Sequence, residues 1–223
     1  MINALRLAEK KIEDVKIVIN GAWAAGIAIC RFLQKAGAKD NYICNSKGLL
    51  YDRKEGLNPE QAAITKVTNK EGIQGTLKDV MPGADVFIGV SGPNCVTKEM
   101  VAFMNEKAIV FPLANPIPEI DPVLAKESGA YIVGTGSSEY PNQINNVLVF
   151  PGLFRGAIDA DARTINNDMM FAAAMGIAKC VQDDELSTEY ILPYAYDKRV
   201  HKCVAEAVKE ACIRTHTTKA DQK

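Results

Sequence analysis

The chain has 223 residues, of which 48% are hydrophobic, and a formal net charge of −1 at pH 7. This composition is typical of a soluble protein that buries a core, and the charge excludes an electrostatic footprint for nucleic acid or an anionic membrane surface. No apolar run approaches the roughly 20 residues that span a bilayer, and the charged N-terminal segment is unlike a signal peptide. We therefore expect a cytoplasmic protein with no nucleic-acid or membrane partner.

Strand-length hydrophobic runs alternate with segments of helical spacing along the first two thirds of the chain. The strands are predicted at 15–19, 41–44, 85–90, 108–113 and 131–133. The helices are predicted at 24–36, 59–67, 77–81, 98–105 and 122–128. Asn58 is predicted to cap the second of these, with Pro59 at its first position, and Thr97 to cap the fourth. This alternation predicts an α/β fold with a Rossmann-like, doubly wound and mostly parallel sheet, since continuous apolar strands are buried on both faces.

The pattern changes after Pro151. Residues 160–181 and 199–215 predict long C-terminal helices that pack across the sheet or against another subunit. Residues 217–223 are polar and predict a frayed tail. Because no repeat or linker interrupts the chain, we expect one domain over residues 1–223.

The six cysteines are scattered and form no C-x-x-C pair, and the chain has only two histidines. This spacing does not predict a zinc site, and we assign no metal-binding residue. Reduced, mostly buried thiols are the expectation for a cytosolic protein.

A glycine-rich turn joins the first predicted strand to the first long helix, and it reads NGAWAAG at residues 20–26. The context suits the G-x-G-x-x-G fingerprint, in which a helix N-terminus receives a pyrophosphate. Gly21 and Gly26 supply the first and third glycines, but Trp23 occupies the second position. A working dinucleotide site, a damaged one and a look-alike all remain open at this point.

The residue that ends the second strand of such a fold contacts the adenosine ribose. Here this residue is Asn45, followed by Ser46 and Lys47. An amide bonds a ribose hydroxyl without repelling a 2′-phosphate, so the prediction is tolerance of both NAD and NADP. The alternative is a simple polar turn.

Longer motifs resemble one known family. The blocks CNSKGLLYDRKEGLN, GADVFIGVSGPNCVTKEM, LANPIPEI and YPNQINNVLVFPGLFRGAID, together with the glycine turn, resemble the NAD(P)-binding domain of malic enzymes, especially bacterial-type ones. The resemblance runs in order from about residue 2 to 211. It implies oxidative decarboxylation of L-malate to pyruvate and CO2, with NAD or NADP as hydride acceptor and Mg2+ or Mn2+ as the metal.

The resemblance also implies roles for particular residues. Asn115 and Asn146 match two asparagines that hold malate beside the nicotinamide. From the residues alone, the alternatives are a turn at Asn115-Pro116 and a helix or loop cap at Asn145-Asn146. Val90 and Ser91 match the end of a strand that lines the cofactor path. The candidate cofactor-binding residues are Gly21, Ala22, Trp23, Ala24, Ala25, Gly26, Asn45, Ser46, Lys47, Val90, Ser91 and Asn115, and the candidate substrate-binding residues are Asn115 and Asn146.

In the family, the general-base lysine, the acid tyrosine and the metal-binding carboxylates lie upstream of the point where this chain begins. We therefore assign no catalytic residue, and we expect a cofactor-binding half without turnover by itself and a homo-oligomer. Glu119 to Asp121 are expected to form a solvated loop rather than a metal site, and Asp159 and Asp161 to cap a long helix. Pro112 is expected to shorten or bulge its strand.

Two other hypotheses stay open. One is a non-catalytic binding or regulatory module with a decayed dinucleotide site, in which Trp23 and Asn45 are the signs of decay. The other is a dinucleotide enzyme of another family, such as an amino-acid dehydrogenase, which the two asparagines argue against. The indole of Trp23 is expected to weaken binding, so Trp23→Gly should tighten it.

Overall fold

The computed structural model describes residues 1–219, and the last four residues of the predicted tail lie outside the described part. The chain divides into two compact units. The sheet unit comprises Ala4–Pro141, and the helical unit comprises Met1–Asn3 with Asn142–Lys223. The expectation of one domain over residues 1–223 stays a prediction.

The sheet unit contains a six-stranded sheet with the order β3-β2-β1-β4-β5-β6. Its strands are β1 (Lys16–Asn20), β2 (Asp40–Asn45), β3 (Gly48–Leu49), β4 (Val86–Gly89), β5 (Ile109–Pro112) and β6 (Ile132–Val133). Neighbouring strands are parallel except for β2 and β3. The predicted α/β, doubly wound fold is confirmed, and the strand order reverses between β1 and β4, where such folds bind ligands.

Six helices belong to this part of the chain. They are α1 (Ile2–Ala8), α2 (Ala24–Lys35), α3 (Pro59–Thr65), α4 (Leu77–Val80), α5 (Lys98–Ala102) and α6 (Pro122–Glu127). The predicted cap of α3 is confirmed, because the Asn58 side chain accepts from the Gln61 N–H and Pro59 occupies the first helical position. The predicted Thr97 cap of α5 is also present, since its side chain accepts from the Met100 N–H.

Pro112 ends β5 without a bulge. Ile109 and Leu113 donate their backbone N–H groups to Asp85 and Gly89 on the β4 side, at 2.9 Å each. Because alternate residues of a strand direct their N–H groups to opposite sides, the N–H that proline lacks would face the other neighbour, β6. The two residues of β6 pair only with Ile109 and Val110, so the ladder loses nothing at Pro112.

Up to residue 219, the helical unit contains a short 3-10 turn and three helices of its own. These are the turn Asn146–Leu148, α7 (Gly152–Asp159), α8 (Asn167–Lys179) and α9 (Lys198–Arg214). The prediction of one helix over 160–181 is wrong at its start. Asp161 has a φ of +50°, which takes the chain out of the helix, and α8 begins only after Asn166, whose side chain accepts from the Met169 N–H.

The expected capping role of Asp159 and Asp161 is therefore also wrong. Asp159 is the last residue of α7, where its carboxylate accepts a hydrogen bond from Arg155 Nε at 2.9 Å. Asp161 lies in the turn that follows. The two aspartates end one helix instead of starting the next.

The helical unit is held together by α7 and α8 packing on α9. Small residues allow this close approach: a Cβ on Gly156 would lie 2.8 Å from the Val208 Cβ and would overlap the Ala205 carbonyl oxygen. The buried side chains of the three helices form one apolar cluster that includes Leu153, Met169 and Val204.

All six cysteines, which lie within the described residues, are free thiols. Burial raises the pKa of Cys30 to about 12, and also that of Cys44 to about 12, so both thiols stay protonated at neutral pH. In residues 1–219, no helix has the length and apolar character needed to cross a bilayer.

Candidate functional site

The turn after β1 can be formed only with glycine at its first position. Gly21 has a φ of +125°, a conformation that L side chains rarely adopt. A Cβ at this position would also lie 2.7 Å from the Val90 carbonyl carbon. The Gly21 N–H donates to the Cys44 carbonyl at 2.9 Å, so the turn is fixed between the ends of β2 and β4.

Gly26 has the packing role of the third fingerprint glycine. A Cβ on this residue would overlap the Gly21 carbonyl oxygen and lie 3.4 Å from the Ile19 side chain. Glycine at this position therefore lets α2 begin directly against the end of β1.

Trp23 occupies the N-cap position of α2 with a φ of −107° and a ψ of −168°. This is extended backbone, which any residue adopts, so the indole does not distort the turn. Its side chain is 70% exposed, whereas Ala22 is fully buried and its carbonyl accepts from Gln61 Nε2 at 2.9 Å. Ala24 and Ala25, the first residues of α2, are exposed, so the positive end of the helix dipole faces solvent.

The second strand ends in a polar turn. Asn45 is the last residue of β2, and its Oδ1 accepts a hydrogen bond from the Lys47 N–H at 2.8 Å. Ser46 and Lys47 are exposed in the turn that leads to β3. The polar-turn interpretation of this stretch is thus present in the structure, and the ribose role of Asn45 stays a prediction.

Val90 and Ser91 follow β4 at the same edge of the sheet. The Val90 N–H donates to the Asn20 carbonyl at 2.8 Å, which extends the pairing with β1 by one residue. Asn20 Nδ2 donates to Ser91 Oγ at 2.8 Å and to Cys95 Sγ at 3.2 Å. Asn115 lies exposed in the loop after β5. The ends of β1, β4 and β5 therefore carry Gly21, Ser91 and Asn115.

Glu119 is buried at this edge, with 0% of the residue exposed. The expectation of a solvated loop is wrong for this residue, because Oε1 accepts from the Ser91 N–H at 2.8 Å and from Ser91 Oγ at 3.1 Å. Oε2 accepts from the Ala114 N–H at 3.0 Å. Asp121 is exposed at the end of this loop, as expected, and it also caps α6 by accepting from the Val123 and Leu124 N–H groups.

Sequence reasoning did not assign a role to Glu119. Two features of the sequence could have indicated its role. They are Gly89, the glycine that ends β4, and the position of the acid itself, five residues after Ala114. A Cβ on Gly89 would lie 2.6 Å from both carboxylate oxygens of Glu119. The bare backbone at Gly89 therefore makes the space that the carboxylate fills.

Asn146 belongs to the helical unit. The preceding residue, Asn145, caps the 3-10 turn, since its Oδ1 accepts from the Val147 N–H at 3.0 Å. Asn146 itself is exposed, and its carbonyl accepts from the Val149 and Phe150 N–H groups. The cap interpretation is thus correct for Asn145, and the substrate role of Asn146 stays a prediction.

The described residues do not fit a divalent metal ion by themselves. Within residues 1–219, no three side chains among histidine, cysteine, aspartate and glutamate form a group that could hold one. The exposed helix end beside Gly21 and Gly26 instead offers N–H groups, which bind anions.

Comparison with known proteins gives a consistent family. A sequence model described as "Malic enzyme, NAD binding domain" matches residues 1–213. The chain is 50% identical over 216 residues to the bifunctional malic/malolactic enzyme of Bacillus subtilis (strain 168), covering 96% of this chain and 53% of that protein. It is 41% identical to the NADP-dependent malic enzyme of Escherichia coli (strain K12), covering 96% of this chain and 30% of that protein.

A solved structure supports the same family. The crystal structure of the malic enzyme from Pyrococcus horikoshii Ot3 superimposes with a TM-score of 0.92 at 41% identity, covering 98% of this chain and 52% of that chain. The chain therefore spans about half the length, or less, of the relatives that it matches.

Proposed function

The chain belongs to the family of malic enzyme NAD-binding domains, and on that premise we propose that its sheet unit binds NAD+ or NADP+ with the pyrophosphate at the turn between Gly21 and Gly26. One observation carries the proposal. The turn lies where the strand order reverses, and two positions that admit no Cβ bring the solvent-facing N-terminus of α2 to the end of β1. This geometry directs backbone N–H groups and the positive helix end at one anion.

The backbone of Trp23 argues against a decayed site. The second fingerprint glycine is needed where a side chain would block the pyrophosphate, but Trp23 is 70% exposed to solvent. The φ of −107° requires no glycine. A tryptophan at this position is therefore compatible with the turn that the other two glycines form.

The activity of the whole protein is part of the proposal. NAD+ or NADP+ held at this turn would supply the hydride acceptor for C2 of malate, and Asn115 would donate from its amide to a malate carboxylate without adding charge. We propose the same carboxylate-binding role for Asn146. A cytoplasmic location, supported by the six free thiols, and a homo-oligomeric state complete the proposal.

Binding is tested by titrating NAD+ and NADP+ against the fluorescence of Trp23, the single tryptophan of the chain. We expect saturable quenching with a Kd below about 1 mM for at least one of the cofactors. A folded sample that shows no response to either cofactor, and no binding by calorimetry, would contradict the proposal.

A matched pair of variants locates the pyrophosphate. Ala25 and Ala28 are both exposed on α2, one in the first turn and one in the next. Ala25→Glu adds a negative charge where the pyrophosphate would bind, so we expect an affinity about tenfold lower, while the acid at the helix N-terminus keeps or raises stability. Ala28→Glu adds the same charge one turn further on and should change the affinity by less than about threefold. Equal effects of the two variants would place the pyrophosphate elsewhere.

A further inference from the structure

A chain of hydrogen bonds runs across the carboxyl edge of the sheet. It begins at Asn20, the last residue of β1, whose Nδ2 donates to Ser91 Oγ at 2.8 Å. Ser91 Oγ in turn donates to Glu119 Oε1 at 3.1 Å. Glu119 Oε2 accepts from the Ala114 N–H at 3.0 Å, directly before Asn115. The chain thus joins the ends of β1, β4 and β5.

Glu119 divides its two oxygens between two loops. Oε1 takes the backbone N–H and the hydroxyl of Ser91, in the loop after β4. Oε2 takes the N–H of Ala114, in the loop after β5. The residue is fully buried, and these three donors are uncharged, so the carboxylate acts as an acceptor that ties the loops together.

We propose that Glu119 is a positioning residue that fixes the Ser91 loop and the Asn115 loop relative to each other, so that occupancy of the cofactor site at Ser91 is transmitted to the substrate-binding Asn115. The coupling rests on the proposed function, because the ligands at the two loops are those proposed above. The hydrogen bonds of the Glu119 carboxylate, on which the coupling depends, are observed independently of any ligand.

The geometry makes a specific prediction for Glu119→Gln. A glutamine side chain has one acceptor oxygen and one NH2 group. With its oxygen toward Ser91 it accepts from the Ser91 N–H and hydroxyl, and with its oxygen toward Ala114 it accepts from the Ala114 N–H while its NH2 group donates to Ser91 Oγ. In either orientation the NH2 group faces one backbone N–H, and two donors do not bond. The variant therefore releases one of the two loops and retains the other.

Residue-resolved hydrogen exchange of the full chain tests this without cofactor. In Glu119→Gln we expect one of the Ala114 and Ser91 amides to exchange at least about tenfold faster, and the other to stay within about threefold of wild type. The adjacent Leu113 amide is the internal control, since it donates to the Gly89 carbonyl in the sheet ladder at 2.9 Å. Unchanged rates at both Ala114 and Ser91, or equal acceleration at all three amides, would overturn the proposal.

Ser91→Ala is the milder second variant, in case Glu119→Gln does not fold. It removes the hydroxyl donor but keeps both backbone donors on the carboxylate. We expect faster exchange at position 91 and an Ala114 rate within about threefold of wild type. Equal acceleration at both positions would contradict a carboxylate that holds the two loops through separate oxygens.

The same measurement with saturating NAD+ tests the transmission. In wild type we expect NAD+ to slow exchange at both Ser91 and Ala114, and in Glu119→Gln at Ser91 only. A merely structural role of Glu119 would not separate the two amides in this way. If NAD+ and NADP+ slow neither amide in wild type, the proposed function fails, while the measurement without cofactor still decides whether Glu119 holds the loops. If wild type responds at both amides and Glu119→Gln does as well, the coupling fails and the proposed function stands.

Discussion

The two compact units of the chain place their buried polar side chains differently. In the sheet unit, Asn20, Asp85 and Glu119 hold the ends of the strands through hydrogen bonds. In the helical unit, the buried Asn142 instead bonds loop backbone at Thr188 and Ile191, and Gly156 lets α7 approach α9. Both units use glycine for close approach, since Gly26 lets α2 begin against β1. Polar groups held at strand ends are fixed relative to the sheet, whereas glycine contacts give only proximity.

The largest effect is expected from breaking the glycine contact of the helical unit. Gly156→Ala adds a methyl group that overlaps the Ala205 carbonyl oxygen and lies 2.8 Å from the Val208 Cβ. We expect the free energy of unfolding to fall by about 3 kcal/mol, measured by urea denaturation followed by circular dichroism. Ile158→Ala, on the same helix at a position 74% exposed, should change it by less than about 0.5 kcal/mol. A tolerated Gly156→Ala would show that α7 and α9 can separate at little cost.

A smaller loss is expected from breaking a polar tie of the sheet unit. Lys10 Nζ forms an ion pair with Asp85 Oδ1 at 2.6 Å, and Asp85 Oδ2 accepts from the Lys16 N–H at 2.8 Å. Lys10→Met leaves this largely buried carboxylate without its cation, so the free energy of unfolding at pH 7 should fall by about 2 kcal/mol. Lys107→Met, at an exposed pair with Glu9, is the matched control and should have no measurable effect.

The same tie predicts a pH dependence. Burial acts to raise the pKa of Asp85, but hydrogen bonds from Lys10, Lys16 and Asn105 outweigh it and hold the pKa below its ordinary value. Because the folded pKa is the lower one, the stabilisation is complete above the unfolded pKa of about 3.9 and is lost as the pH falls through the folded pKa. Urea midpoints below about pH 4 should therefore fall more steeply for wild type than for Asp85→Asn. Parallel curves would rule out Asp85 as the source.

A change of charge at the end of β2 tests the role of Asn45 at the polar edge of the sheet unit. Asn45→Asp places a carboxylate where the 2′-phosphate of NADP would lie, so we expect NADP+ affinity to fall about tenfold. Binding of NAD+ to the same variant is the control and should change by less than about threefold. Equal losses for both cofactors would show that Asn45 acts on the turn, through its Oδ1 bond to Lys47, and not on the ribose.

The smallest effect is expected at the second fingerprint position. Trp23→Gly removes a side chain that is mostly exposed beside the pyrophosphate loop, and we expect cofactor to bind about two- to threefold more tightly. Because the variant lacks tryptophan, the Kd is measured by calorimetry. An unchanged Kd would mean that the indole never contacts the cofactor path.

The sheet unit could be predicted closely because its strands carry their own signal. The residues Ile17, Val18 and Ile19 make β1 apolar on both faces. Asn58 and Thr97 cap helices through contacts only three residues long. The break between α7 and α8 was missed because it depends on the positive φ of Asp161, which residue spacing does not reveal. Glu119 was missed for a related reason, since its burial depends on Ser91 in the loop after β4, which is distant in sequence.

The backbone of the candidate site could be predicted from the sequence, but the placement of the side chains around it could not. Gly21 and Gly26 occupy the positions that the fingerprint demands, and their environments explain why. The exposure of Trp23 could not be predicted. The fingerprint specifies glycine at this position and does not indicate in which direction another side chain would point.

The uncapped start of α2 links anion binding to the stability of the protein. An indole offers no acceptor, so Trp23 leaves the first N–H groups of the helix to solvent. An anion that binds there completes the helix as a capping side chain would, and each occupied site raises the melting temperature through mass action. A serine or aspartate in this place would stabilise the free protein and compete with the ligand for the same donors. The uncapped N–H groups at the start of α2 thus contribute to the free energy of anion binding and not to the stability of the free protein.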